Sequence, residues 1–136
     1  MMYDELTLDW DYYMVQLIRK HKAAVLKILK VECSAVKILN TQKGINIIAK
    51  FKKPKNLQDL IFLRLYCFDD IFRIRNEIDK FHDNQEHRIN RIWAIKNGFE
   101  KTTIFEGFCK DLKEEFFDDL VGITESKRPK KEVKSK

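Results

Sequence analysis

Asp9 and Asp11 stand two positions apart in the stretch Glu5-Leu6-Thr7-Leu8-Asp9-Trp10-Asp11. On an extended chain, side chains two apart share a face. Two carboxylates so placed can hold one or two divalent cations, because Mg²⁺ and Mn²⁺ take hard oxygen ligands. A metal pair held that way performs phosphoryl or nucleotidyl transfer. The other reading is a polar strand end before a helix, where the helix dipole favours acids. Asp-x-Asp alone does not separate the two.

The surrounding pattern sets how these residues are carried. Leu6, Leu8 and Trp10 alternate with Thr7, Asp9 and Asp11, the period of a half-buried strand. From Tyr12 the spacing of Met14, Leu17, Ile18, His21, Val25, Ile28 and Leu29 turns helical, with Arg19, Lys20, Lys22, Lys27 and Lys30 largely off that stripe. This predicts one amphipathic helix of about 18 residues with a basic outer face. Two Val/Ile-rich runs flank Asn40-Thr41-Gln42-Lys43-Gly44 and read as a hairpin. Asn56, after Pro54, is placed to cap the next helix. That helix breaks at Asp69-Asp70, one of which caps a second segment. Asn97-Gly98 between alternating runs is a hairpin signal. A final helix is expected over about Glu106–Leu120, from the spacing of Phe105, Phe108, Cys109, Leu112, Phe116 and Leu120.

The expected fold class is α+β: a ferredoxin-like (RRM-like) β-α-β-β-α-β core with an extra C-terminal hairpin strand and helix, helices on one sheet face. The other face is left for a ligand, a partner or the final helix. A length of 136 residues suits one domain, placed at 1–123, with a disordered basic tail at 124–136. Short apolar runs leave an all-α arrangement open.

A strand with Asp-x-Asp, a helix, and a hairpin whose polar turn ends in Lys43-Gly44 resembles the catalytic half of archaeo-eukaryotic primases and primase-polymerases. The similarity covers about residues 5–51, with a fainter echo through Arg64–Glu77 and residues 89–98. It implies that Asp9 and Asp11 are the metal-binding acids and that Thr41–Gly44 is the phosphate-contacting turn. Where the family has a nucleotide-binding His, this chain has Ile45-Asn46-Ile47, and the family's second module has no counterpart. The resemblance therefore implies a reduced, non-catalytic relative that binds nucleic acid or nucleotide. Ile45 and Ile47 also stand where an RRM would carry stacking aromatics, so base stacking of that kind is not expected from them.

Charge is unevenly spread. The first 18 residues hold four acids and no base, residues 19–55 carry +10, residues 56–125 carry −5, and residues 126–136 carry +5. The basic block and tail form a candidate footprint for DNA or RNA phosphates, through Arg19, Lys20, Lys22, Lys27, Lys43, Gly44, Lys50, Lys52, Lys53, Lys127, Arg128, Lys130 and Lys131. The bland counterpart is a solvated helix face and a solubilising end. Arg64, Arg73 and Arg75 flank Asp69-Asp70, either as phosphate clamps or as partners of those acids. Cys33, Cys67 and Cys109 show no metal or redox spacing and read as reduced, buried thiols of a cytoplasmic protein. No Ser/His/Asp or Cys/His constellation assembles around His21, His82 or His87, which disfavours triad hydrolysis. No apolar run reaches the length of a membrane span. Three functions remain in play: nucleic-acid binding, Mg- or Mn-dependent transfer through Asp9 and Asp11, and a homodimer or protein partner on the open sheet face.

Overall fold

The structure is a computed structural model that describes residues 1–92, 95–96 and 98–129. Its elements run β1 (Tyr3–Asp11), α1 (Tyr12–Arg19), α2 (Lys22–Glu32), β2 (Cys33–Asn40), β3 (Gly44–Lys55), α3 (Leu57–Tyr66), α4 (Ile71–His82), β4 (Ile95–Lys96), β5 (Phe99–Glu100), β6 (Thr102–Phe108) and α5 (Glu115–Thr124). The main sheet is antiparallel, ordered β1-β3-β2-β6, while β4 and β5 pair with each other in a separate two-stranded ribbon. The chain is thus an α+β domain, loosely ferredoxin-like, and the sheet excludes the all-α alternative.

Alternation in β1 works as expected. Leu6, Leu8 and Trp10 are fully buried with Ile45, Ile47 and Ala49 of β3 and Val36 and Ile38 of β2. Against this face pack Val15 and Ile18 of α1, Val25 and Leu29 of α2, Leu60 of α3, and Phe117 and Leu120 of α5. The Trp10 indole N–H donates to the Cys67 carbonyl at 2.8 Å, which satisfies the one polar atom of a ring that is otherwise surrounded by apolar groups.

Several expectations are corrected. The predicted single helix from Tyr12 is two, because the chain turns at Lys20-His21, where i→i−3 bonds run to Leu17 and Ile18. His21 stacks on Phe68, with ring centroids 5.1 Å apart. Glu106–Phe108 belongs to β6 rather than to the last helix, which starts at Glu115. Phe108, counted there as a buried helical position, is exposed on the strand. The predicted hairpin is present, with Gly98 at φ 76°, but it stands apart from the main sheet; Asn97 lies outside the described residues. The final helix packs on α1, on the core side, and leaves the outer sheet face uncovered by it.

The main departure from a ferredoxin-like sheet is at β1. There the strand after the second helical unit would return beside β1; here β6 pairs with β2 at the opposite side. Side chains take the missing strand's place. Thr7 N–H donates to Asn90 Oδ1 (3.3 Å) and Asp9 N–H to Asp69 Oδ1 (2.7 Å). Glu5 O accepts from Asn90 Nδ2 (2.6 Å) and Thr7 O from Arg73 Nη1 (3.1 Å). An edge backbone group left dry and unpaired would cost about as much as a lost hydrogen bond.

Candidate functional site: a groove beside the first strand

Asp69 and Asp70 divide their labour. Asp70 caps α4 by accepting from the N–H groups of Phe72 (2.9 Å) and Arg73 (3.3 Å). Asp69 is buried and accepts from Arg64 Nε (2.6 Å), Arg73 Nη1 (3.0 Å) and the Asp9 N–H. Arg64, with no exposed surface, also reaches Glu77, whose other oxygen accepts from the Asn90 N–H. A buried guanidinium is tolerable only when carboxylates surround it. This network fixes α3, α4 and residue 90 to the edge of β1. The pairing of arginine with aspartate across the break follows the sequence expectation.

At the other end, the β2–β3 turn is held by Thr41. Its hydroxyl accepts from the Gly44 N–H (2.9 Å), and its own N–H donates to Gly44 O (3.0 Å). Gly44 is required by close approach: a Cβ there would lie 1.8 Å from the Trp10 carbonyl oxygen. Lys127 Nζ donates to Asn40 Oδ1, Thr41 O and Gly44 O, closing the turn from beneath. Burial pushes the Lys127 ammonium below the ordinary lysine range.

Between these two anchors lie adjoining cavities of about 430 Å³ and 370 Å³. Both are lined by Asp9, Asn46, Asp70, Phe72 and Lys101, so they form one groove between α4 and the outer sheet face. Asp11, Thr41, Gln42 and Lys43 line one end; Asn76, Lys80, Arg88 and Arg91 line the other. Asp9 and Asn46 are paired across β1 and β3, and the Asn46 amide donates to Asp9 Oδ1 at 3.0 Å. Asn46 is 2% exposed, and its Oδ1 has no partner among the described residues.

Asp9 and Asp11 therefore share a face and a cavity, as the sequence suggested. One oxygen of each carboxylate is engaged within the fold. Asp11 Oδ1 is taken by the Met14 N–H (2.8 Å) in capping α1, and Asp9 Oδ1 by the Asn46 amide. Among the described residues no three His, Cys, Asp or Glu side chains are grouped to hold one ion.

The expected phosphate-binding residues are dispersed. Of those described, Lys43 and the backbone of Gly44 adjoin the groove. Arg19 and Lys22 both pair with Asp118 at 3.1 Å, and the Lys22 hydrogen bond, foremost, holds that carboxyl below its usual range. Lys20 and Lys27 are exposed near the α1–α2 turn and on α2. Lys50 sits across from Glu5 on the outer sheet face, Lys52 donates to the Lys30 carbonyl (2.9 Å), and Lys53 is exposed at the end of β3. Lys127 is committed to the turn, Arg128 is exposed, and Lys130 and Lys131 lie outside the described residues. Sequence reasoning missed Asn46, Phe72, Lys80, Arg88 and Lys101 as lining residues. Asn46 had a signal: a lone amide in the apolar run Ile45-Asn46-Ile47-Ile48, in register with Asp9.

Fold and groove together define a small α+β domain with a four-stranded antiparallel sheet and flanking helices. No protein-family model, curated protein or solved structure matches the chain. No helix among the described residues is long and apolar enough to cross a membrane.

Proposed function

We propose that the chain is a non-catalytic nucleic-acid-binding domain whose groove takes the phosphodiester strand of DNA or RNA. The observation that carries this reading is the charge arrangement of the lining. Six cationic side chains, Lys43, Arg73, Lys80, Arg88, Arg91 and Lys101, stand among five carboxylates. Each of the five, Asp9, Asp11, Asp69, Asp70 and Glu77, accepts a hydrogen bond from a neighbour within the fold. Lys43, Lys80 and Arg88 make no ion pair among the described residues, so their charge is open to an anionic ligand that enters the groove. The primase-like resemblance agrees with such a role without carrying it.

The test is anisotropy titration of short labelled DNA and RNA strands between about 50 and 200 mM salt, the range over which counterion release is steep. Replacing Lys43, Lys80 and Arg88 together by Gln should flatten the log–log salt slope by about 2, at roughly 0.7 per lost single-strand contact. Replacing Lys27 and Lys53 by Gln should leave it alone; a loss confined to that pair moves the interface to α2 and the end of β3. Absence of binding at the lowest salt removes the proposal.

A protein-binding role has one observation in its own favour. Phe62, Leu65 and Tyr66 of α3 are 57%, 45% and 60% exposed on one side of the molecule, more apolar surface than a helix usually leaves in water. Self-association that Phe62→Ser and Tyr66→Ser abolish, in sedimentation runs without nucleic acid, would support it.

A further inference from the structure

We infer that Phe72 is a stacking platform for an unpaired base, so that the groove selects single-stranded over double-stranded nucleic acid. The inference rests on the nucleic-acid reading above and gives it a strand class.

Phe72 is 71% exposed, more than any other described aromatic side chain. The buried positions of α4 are Ile74 and Glu77, and Phe72 lies off that face. Its ring makes no pair with another described aromatic ring. The core therefore does not account for it. Its backbone N–H is fixed by Asp70, so the side chain leaves a rigid first helical turn rather than a loose loop.

Its position supplies the occupant. Phe72 belongs to both cavities, with Lys101 beside it, Lys43 toward the β2–β3 turn and Lys80 and Arg88 toward the other end. Phe72, Asn76 and Lys80 recur every four residues, one stripe of α4 along about 12 Å of helix. An aromatic face between cations is what a single strand requires: a base lies on the ring while the phosphates on either side meet the charges. Bases in a duplex are already stacked on one another and offer no free face to a lone side chain. A cavity of a few hundred Å³ also matches a nucleotide-sized ligand rather than a helix of double-stranded DNA.

The experiment uses the full chain and three probes of equal phosphate number: a single-stranded 12-mer, the same strand made fully abasic, and its duplex. Wild type should prefer the base-bearing strand to the abasic one by about 5- to 150-fold, the range for one stacked base. Phe72→Ala should lose most of that preference while keeping the abasic affinity and the salt slope. Phe72→Trp should restore it, and its indole emission should be quenched as the base-bearing strand is added. An unchanged urea midpoint shows that the exposed position has not disturbed the fold. Should Phe72→Ala bind all probes as wild type does, or wild type bind duplex as tightly as single strand, the stacking role is overturned while phosphate binding stands. Binding to none of the probes overturns both.

Discussion

Replacing Asp69 by Ala should be among the most damaging single changes available to this chain. The carboxylate accepts from three donors: the Asp9 N–H, Arg64 and Arg73. Its removal leaves Arg64 fully buried with Glu77 as its remaining ion partner. Stranding one member of a buried ion pair costs about 3–5 kcal/mol, and an orphaned backbone N–H on β1 contributes in the same direction. Against a total stability of about 5–15 kcal/mol, a loss near 4 kcal/mol is large. With a urea slope of about 2 kcal/mol per molar, the midpoint should fall by about 2 M. Asp70→Ala is the internal control, the same residue type one position on. It forfeits a helix cap, worth about 1 kcal/mol, and should shift the midpoint by about 0.5 M. Equal shifts for the two variants, or a smaller one for Asp69→Ala, would refute the claim that this network secures the edge of β1.

Two further outcomes are expected. Gly44→Ala forces a Cβ into the Trp10 carbonyl and the Asp11 Cα, so β1 and β3 must part; it should cost about 1–3 kcal/mol or more, whereas Gly122→Ala, in open space on α5, should be neutral or stabilising by up to about 1 kcal/mol in the same denaturation assay. Alkaline pH should weaken the fold, because burial pushes the Cys67 thiol up to about 12 and raises Cys33, Cys109 and Tyr3 as well. The unfolded thiols release protons from about pH 9, so stability is intact below that pH and drains away as pH climbs toward the folded values. Lys127, lowered by burial, works in the opposite sense below pH 10.5. Urea midpoints at about pH 7, 9, 10 and 11 check the sign, and Cys67→Ala should make the decline shallower.

Much of the scaffold was legible because local chemistry and tertiary environment agreed. Leu6, Leu8 and Trp10 alternate and are buried; Asn56 caps α3 by accepting from the Asp59 N–H; Asp70 caps α4. The break at Lys20-His21 left no trace, since neither Gly nor Pro marks it and both halves keep a helical spacing. Phe105, Phe108, Cys109 and Leu112 mimic a helical stripe by coincidence: they come from a strand and a short 3₁₀ turn. Register between distant strands has no local signature, so the pairing of β6 with β2 could not be read. The site was half legible. Asp9 and Asp11 were found by spacing, but the groove's far wall comes from α4 and the residues after it, and nothing in the run Ile71-Phe72-Arg73-Ile74 marks Phe72 as the exposed aromatic.

The plugged flank of β1 gives the sheet a direction of growth. Asn90, Asp69 and Arg73 already occupy the hydrogen-bonding groups that an incoming extended peptide would need there. The opposite border is β6, whose outer side pairs with no strand among the described residues and which ends in the exposed Phe108. Among the described residues, strand addition to the main sheet, whether by a docking peptide or by the first contact of aggregation, is therefore directed to that border. A proline or lysine placed on β6 would guard the open border, whereas β1 is already guarded from Glu5 to Asp9 by side chains.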